Sequence, residues 1–297
     1  MSLPFFYIPH YNDGQTEFLL DEDNSRHIVQ VLRMKPGETL YLTDGNGQLL
    51  TVAILEDHKK KCRVQVVSAT RYPRPEKEVV VAISLLKNTA RFEWFLEKAM
   101  EIGVSGVIPL LCERTEKAHF RQDRMQNILV SALLQSRQTW LPHLSGPTAF
   151  DTLLEKNVIP VNTAGGLRRY IAHCLEEQRL SLAEEVRASS AMCADPIRIT
   201  ADPDAIIRDA ITPNAAITAP ASPQTPLTGT PLPEPPTPDT SSPQPTPVLI
   251  LIGPEGDFTK EEITRALARG YKPVTLGETR LRTETAGIVA ATLLCID

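Results

Sequence analysis

From Glu78 onward the chain alternates uninterrupted apolar runs with amphipathic stretches. Val79-Val80-Val81-Ala82-Ile83 has no polar position, the mark of a strand covered on both faces. "RFEWFLEKAMEIGV" follows, with Phe92, Phe95, Leu96, Ala99 and Met100 at helical spacing and Gly103 as the stop. "VIPLL" reads as the next strand, "RQDRMQNILVSALLQS" as a long helix, and "VIPVN" and "RYIAHC" as short strand candidates. Near the end, Val248 to Ile252 is a second fully apolar run. Thr259 with Glu262 is a capping box that starts a helix closed by Gly270. Val274 to Leu276 is a last short strand, and Thr283 to the C-terminus is a helix of small and apolar residues. Strands alternating with helices predict an α/β fold with a parallel sheet.

The N-terminal third has a different period. "ETLYLTDGNGQLLTVAIL" alternates in twos and turns at Asp44-Gly45-Asn46-Gly47, and "KCRVQVVSAT" supplies a further strand. "SRHIVQVLRMKPGE" reads as a short helix before a Pro-Gly turn. A small all-β domain over residues 1–73 is expected, followed by an α/β domain over 76–297.

Composition changes this picture in one place. No Phe, Trp or Tyr occurs from Ile171 to Asp257, and residues 213–247 hold 12 of the chain's 25 prolines. Residues 176–246 also carry ten acids against four arginines, a net of −6, so the rest of a chain of net charge −5 is close to neutral, at +1. Such a segment has too little apolar surface to offset its ordering entropy. An extended or disordered insertion over about 176–246 is expected, with residues 176–192 partly helical. Outside it, basic clusters at Lys59-Lys60-Lys61 with Arg63, Arg71 with Arg74, and Arg168-Arg169 can meet phosphates, although solvated surface charge is the better explanation of any one of them taken alone. Five cysteines without Cys-x-x-Cys spacing indicate packing residues, with no disulfide framework and no metal site. No apolar run is long enough for a membrane helix and the N-terminus has no leader pattern, so a cytoplasmic protein without membrane partners is expected.

The candidate chemistry sits where late strands end. Ile252 runs into Gly253-Pro254-Glu255-Gly256, and Leu276 into Gly277 and a loop carrying Glu278, Arg280 and Arg282. In open parallel sheets ligands bind outside the carboxyl ends of strands, where glycines let backbone approach them. No Walker loop, Gly-x-Ser-x-Gly elbow, His-Glu zinc motif or Gly-x-Gly-x-x-Gly loop is present.

Together, Gly253-Pro254-Glu255-Gly256, Leu276-Gly277 and Leu281-Arg282-Thr283-Glu284-Thr285-Ala286 resemble the SPOUT superfamily of RNA methyltransferases. Within it they resemble the ribosomal RNA small subunit methyltransferase E family. "RFEWFLEKAMEIGV", "IPLLCERTEK" and "SALLQSRQTWLP" resemble the same family, and His27, Val31-Leu32-Arg33 and Gly37 resemble its PUA-like barrel. The resemblance implies a trefoil-knotted α/β domain with a small N-terminal PUA-like β-barrel, S-adenosyl-L-methionine as cofactor, and a homodimer. Its implied reaction is methylation of N3 of a uridine in 16S ribosomal RNA within the small ribosomal subunit. The implied cofactor residues are Ile252, Gly253, Pro254, Glu255, Gly256, Leu276, Gly277, Leu281, Thr283, Thr285 and Ala286. Arg282 is expected to stabilise the uridinate or a nearby phosphate, Glu284 to orient that arginine or the substrate, and His27, Arg33 and Arg114 to contact RNA. Two departures stand out: the Pro-rich insertion, and Arg137-Gln138 where many relatives have Gly-Arg. Two other readings stay open: another SPOUT methyltransferase acting on transfer RNA or on a ribose 2'-hydroxyl, and a non-catalytic RNA-binding assembly protein.

Overall fold

The computed structural model describes residues 3–116, 119–156, 159–161, 166–175, 180–191 and 246–296. The N-terminal strands are β1 (Phe5–Tyr7), β2 (Glu17–Leu19), β3 (Thr39–Thr43), β4 (Gln48–Glu56) and β5 (Arg63–Arg71). They form one sheet in the order β1-β3-β4-β5-β2, antiparallel except for the β1–β3 pair. Alternate residues of β4 (Leu50, Val52, Ile54) are buried against Leu40, Leu42 and Val64, as the period-two pattern requires. The short helix expected before the Pro-Gly turn is split: α1 (Glu22–Arg26) continues into a π-helical turn, His27–Val31. That turn buries Ile28 and leaves Val31 and Leu32 exposed.

The second sheet follows: β6 (Val79–Ser84), β7 (Gly106–Leu111), β8 (His143–Leu144), β9 (Thr148–Ala149), β10 (Arg168–Ala172), β11 (Leu180–Ser181), β12 (Val248–Ile252) and β13 (Lys272–Thr275). Its order is β11-β13-β10-β12-β6-β7-β8, with β9 also on β7, and every pairing is parallel. Between these strands lie α2 (Thr89–Ile102), α3 (Gln122–Ser136), α4 (Phe150–Lys156), α5 (Leu182–Ala191), α6 (Lys260–Ala268) and α7 (Thr283–Cys295). Alternate residues of the central strands enter two cores: Val79, Val81, Ile83, Val248 and Ile250 meet α2, α3 and α7. Val80, Ala82, Leu249 and Leu251 meet α4 and α6 on the other face. Two-sided coverage is why these strands are apolar throughout except for Ser84 at the end of β6, whose hydroxyl meets that of Thr115 at 2.8 Å.

Local signals read from the sequence have physical counterparts. Gly103, read as the stop of α2, ends it at φ 97°, where a side chain is disfavoured; at the other end Asn88, which was not singled out from the sequence, caps the helix by accepting the Ala90 N–H at 3.0 Å. The Thr259–Glu262 capping box is formed in both directions. Burial pushes the thiols of Cys62 up to about 11 and of Cys112 and Cys295 up to about 12, in keeping with packing residues.

Two expectations are corrected. Of "VIPVN", residues 159–161 are loop and not strand, and its first and last residues lie outside the described residues. The acidic segment is not wholly an insertion. Leu180 and Ser181 pair with Val274 and Thr275, and Leu182 and Val186 are buried in the α2/α3/α7 core. Glu185 meets Lys272 at 3.1 Å. Two apolar anchors four residues apart on one helix face are enough to hold a short element that aromatic content overlooks. The Pro-rich residues 192–245 lie outside the described residues.

The barrel docks at the N-terminal end of the second sheet. The Asp44–Gly47 turn receives residues 139–141 in an added-strand contact: Gly47 N–H donates to the Thr139 carbonyl at 2.9 Å, and Leu141 N–H to the Gly45 carbonyl at 2.8 Å. Trp140 donates its ring N–H to the Pro73 carbonyl at 2.8 Å and lies under the Arg74 guanidinium.

Candidate functional site

At the opposite, C-terminal end of the strands, the loops after β6, β7, β10, β12 and β13 converge. The loop Gly253–Asp257 is held from several sides at once. Thr283, on the first turn of α7, donates its hydroxyl to the Gly253 carbonyl at 3.0 Å. Arg280 reaches the Glu255 carbonyl at 3.3 Å, and Arg114 the Gly256 carbonyl at 2.6 Å. Arg91, on the first turn of α2, pairs with the Glu255 carboxylate at 3.0 Å. Asp257 N–H closes the turn onto the Pro254 carbonyl at 2.9 Å.

This loop and the loop after β13 wall a cavity of about 370 Å³, with Ala172, His173 and Cys174 completing it from the end of β10. Ile252, Val274, Leu276, Leu281 and Ala286 give it apolar surface, and Gly277 takes φ 140°, a conformation that favours glycine. The size and the mixture of apolar wall with loop backbone suit a nucleoside-sized ligand.

Most of the residues expected at a cofactor site meet here: Ile252 to Glu255, Leu276, Gly277, Leu281, Thr283 and Ala286 all line the cavity. Gly256 and Thr285 do not. Gly256 sits instead over the Arg114 side chain, and a Cβ on Gly253 would press on Phe258 of its own loop, 3.0 Å away. Arg282 is exposed at the N-cap of α7, beside the cavity, and its side chain makes no hydrogen bond or ion pair among the described residues. Glu284 is turned the other way. It is 6% exposed, its nearest cation is Arg91 (Nε to Oε1, 3.7 Å) and not Arg282, and its Oε2 is buried with no hydrogen-bond partner.

The three residues expected at RNA separate. Arg114 does not line the cavity but braces the Gly253–Asp257 loop at the Gly256 carbonyl. His27 and Arg33 lie on the barrel, His27 edge-on to Phe6 and Arg33 exposed in a left-handed conformation at φ 56°. The six-residue strand β6 separates the two ends, a span of about 20 Å. Arg91, Asp257, His173 and Cys174 were not singled out by sequence reasoning. Arg91 is 164 residues from its partner Glu255, and nothing local marks it. Among the described residues no cluster of potential metal ligands occurs, and no helix is long and apolar enough to cross a membrane.

A doubly covered parallel sheet with a ligand-sized cavity at the carboxyl ends of its strands, joined to a small β-barrel, defines a ligand-binding α/β protein with an accessory barrel. The chain belongs to the RNA methyltransferase family: the family described as "RNA methyltransferase domain" matches residues 73–194 and 220–295, and "RNA methyltransferase PUA domain" matches residues 20–67. A crystal structure of a probable rRNA-methyltransferase from Porphyromonas gingivalis is similar over 99% of both chains, with 30% identity and a TM-score of 0.69. Ribosomal RNA small subunit methyltransferase E of Synechocystis is 26% identical over 269 residues, covering 89% of this chain and 68% of the relative. The enzyme of that name from Neisseria gonorrhoeae, whose structure is bound to S-adenosyl methionine, shares the fold, with 22% identity, a TM-score of 0.67 and coverage of 98% of this chain and 95% of that one.

Proposed function

We propose that this protein uses S-adenosylmethionine to methylate N3 of a uridine in small-subunit ribosomal RNA, and that it acts as a homodimer in the cytoplasm. The observation that carries the reading is the meeting of the Gly253–Glu255 loop, the Gly277 loop and the start of α7 around one cavity, with Arg282, whose side chain has no partner among the described residues, beside it. Family membership supplies the reaction class. The relatives named for small-subunit ribosomal RNA support the substrate.

The cofactor, when bound, supplies a methyl group already activated on a sulfonium. Ile252, Leu276, Leu281 and Ala286 shield it from water, and the backbone of Gly253 to Glu255 and of Gly277 orients it. Arg282 stabilises negative charge as N3 loses its proton and attacks, which is why an arginine without a partner is useful there. Glu284 orients Arg91, and Arg91 in turn fixes Glu255. Arg114 steers a phosphate while bracing the Gly256 carbonyl. His27 and Arg33 hold RNA on the barrel while the reacting base enters the cavity at the far end of β6, so the substrate is a folded RNA that reaches both.

The dimer proposal rests on the half-exposed side of α7, carrying Thr285, Ile288, Val289, Thr292 and Leu293, and on Ile296 at its end, 66% exposed; Gly287, Ala290 and Ala291 are already used against α2 and the sheet. The trefoil threading implied by the family resemblance belongs to the same proposal; the Thr283–Gly253 bond ties the start of α7 to the loop after β12.

The test is methyl transfer from labelled S-adenosylmethionine to small ribosomal subunits from cells lacking the protein, followed by nucleoside mass spectrometry. 3-Methyluridine is expected. Label in a ribose, in another base or only in transfer RNA would replace the N3 reading. Cofactor binding without any transfer would favour a binding protein.

A further inference from the structure

Asp257 stands where glycine would be the easier residue. Its backbone takes φ 65°, a left-handed conformation that L side chains rarely adopt. The turn bond to the Pro254 carbonyl uses backbone alone, so a glycine would make it without steric penalty. What glycine lacks is the carboxylate. Oδ2 accepts the backbone N–H of Cys174 at 2.7 Å, and Oδ1 accepts that of Phe258 at 2.8 Å.

The first of these bonds joins two walls of the cavity. Cys174 follows β10 and Asp257 follows β12, adjacent parallel strands whose last residues, Ala172 and Ile252, lie opposite each other. Beyond that pair no ladder bond holds the chains together, and both loops line the cavity. We propose that Asp257 is a positioning residue for cofactor binding: its carboxylate fixes the His173–Cys174 wall against the Gly253–Glu255 wall before the ligand arrives. A wall ordered in advance spares the binding step that ordering entropy, and a strained backbone is tolerated for it. The inference rests on the reading of this cavity as the S-adenosylmethionine site.

Asp257→Gly and Asp257→Asn in the full chain test it through three measurements: melting temperature, calorimetric Kd for S-adenosylmethionine, and hydrogen exchange at the Cys174 amide. Asp257→Gly is expected to melt within a few degrees of the parent, because relief of the left-handed backbone offsets part of the lost hydrogen bonding, to exchange faster at Cys174, and to bind about tenfold more weakly or worse. Asparagine tolerates the left-handed backbone and keeps one oxygen acceptor, so Asp257→Asn should recover to within about threefold of the parent. Parental affinity in Asp257→Gly, unchanged exchange at Cys174, or an Asn variant as weak as the Gly variant would each overturn the inference. A parent that binds no S-adenosylmethionine would overturn the cofactor reading itself and the inference with it, a result distinct from all three.

Discussion

The hydroxyl of Thr283 donates to the carbonyl of Gly253 at 3.0 Å, so the last helix begins against a loop that the chain left thirty residues earlier. Thr283 is 4% exposed, which makes this a buried bond closing one side of the cavity. Thr283→Val keeps the shape and leaves the carbonyl without its partner, at a cost of about 1–3 kcal/mol. Lower thermal stability and weaker S-adenosylmethionine binding are expected, with Thr283→Ser restoring most of both. Melting curves and calorimetry that match the parent for the valine variant would show that the bond is dispensable.

Arg282 and Arg91 should respond differently to removal. Arg282 has no side-chain partner among the described residues, so Arg282→Ala should melt like the parent and bind cofactor within a few-fold, yet transfer methyl about a hundredfold more slowly. Arg91→Ala leaves Glu284 buried without its cation and should cost about 1–2 kcal/mol, allowing for the exposure of Arg91. Adding Glu284→Gln to Arg91→Ala should recover part of that loss. Single-turnover transfer rates and denaturant unfolding separate the cases. A parental rate in Arg282→Ala would make that arginine a bystander.

The boundary between fold and insertion lies inside the acidic segment. Leu182→Ala should cost about 2–5 kcal/mol, because the side chain is wholly buried between the sheet and its helices. Replacing residues 196–243 by a short Gly/Ser linker should leave stability nearly unchanged, given their composition, whereas a deletion that starts at Leu180 should not. Urea unfolding of the three variants is the measurement. Equal stability of the two deletions would contradict the role given to β11 and α5.

Barrel docking depends on Gly47. A Cβ there would lie 2.4 Å from Trp140 Cζ2, and the residue takes φ 87°. Gly47→Ala should therefore loosen the contact between the Asp44–Gly47 turn and residues 139–141, lowering the melting temperature while leaving cofactor affinity at the far end of the sheet unchanged. Differential scanning fluorimetry with and without S-adenosylmethionine reads both. A variant as stable as the parent would mean that the two sheets are joined by other contacts.

Much of the architecture is local chemistry, and the sequence determined it. The apolar runs of β6 and β12, the Phe92–Met100 stripe, Asn88 and Gly103 at the ends of α2, and the Thr259–Glu262 box each act within a few residues. Their periodicity is a direct record of which faces are buried. The two glycine loops were legible for the same reason, as breaks where strands must end. Tertiary structure decided what the charged groups do. Arg91 meets Glu255 across 164 residues, Arg114 meets Gly256 across 142, and Asp257 meets Cys174 across 83. Glu284 turns toward Arg91 and not toward Arg282, two residues before it, because the first turn of α7 packs beside α2. A hydrogen bond or ion pair between distant segments leaves no period in the sequence, since its partners are brought together only when strands take their places in the sheet.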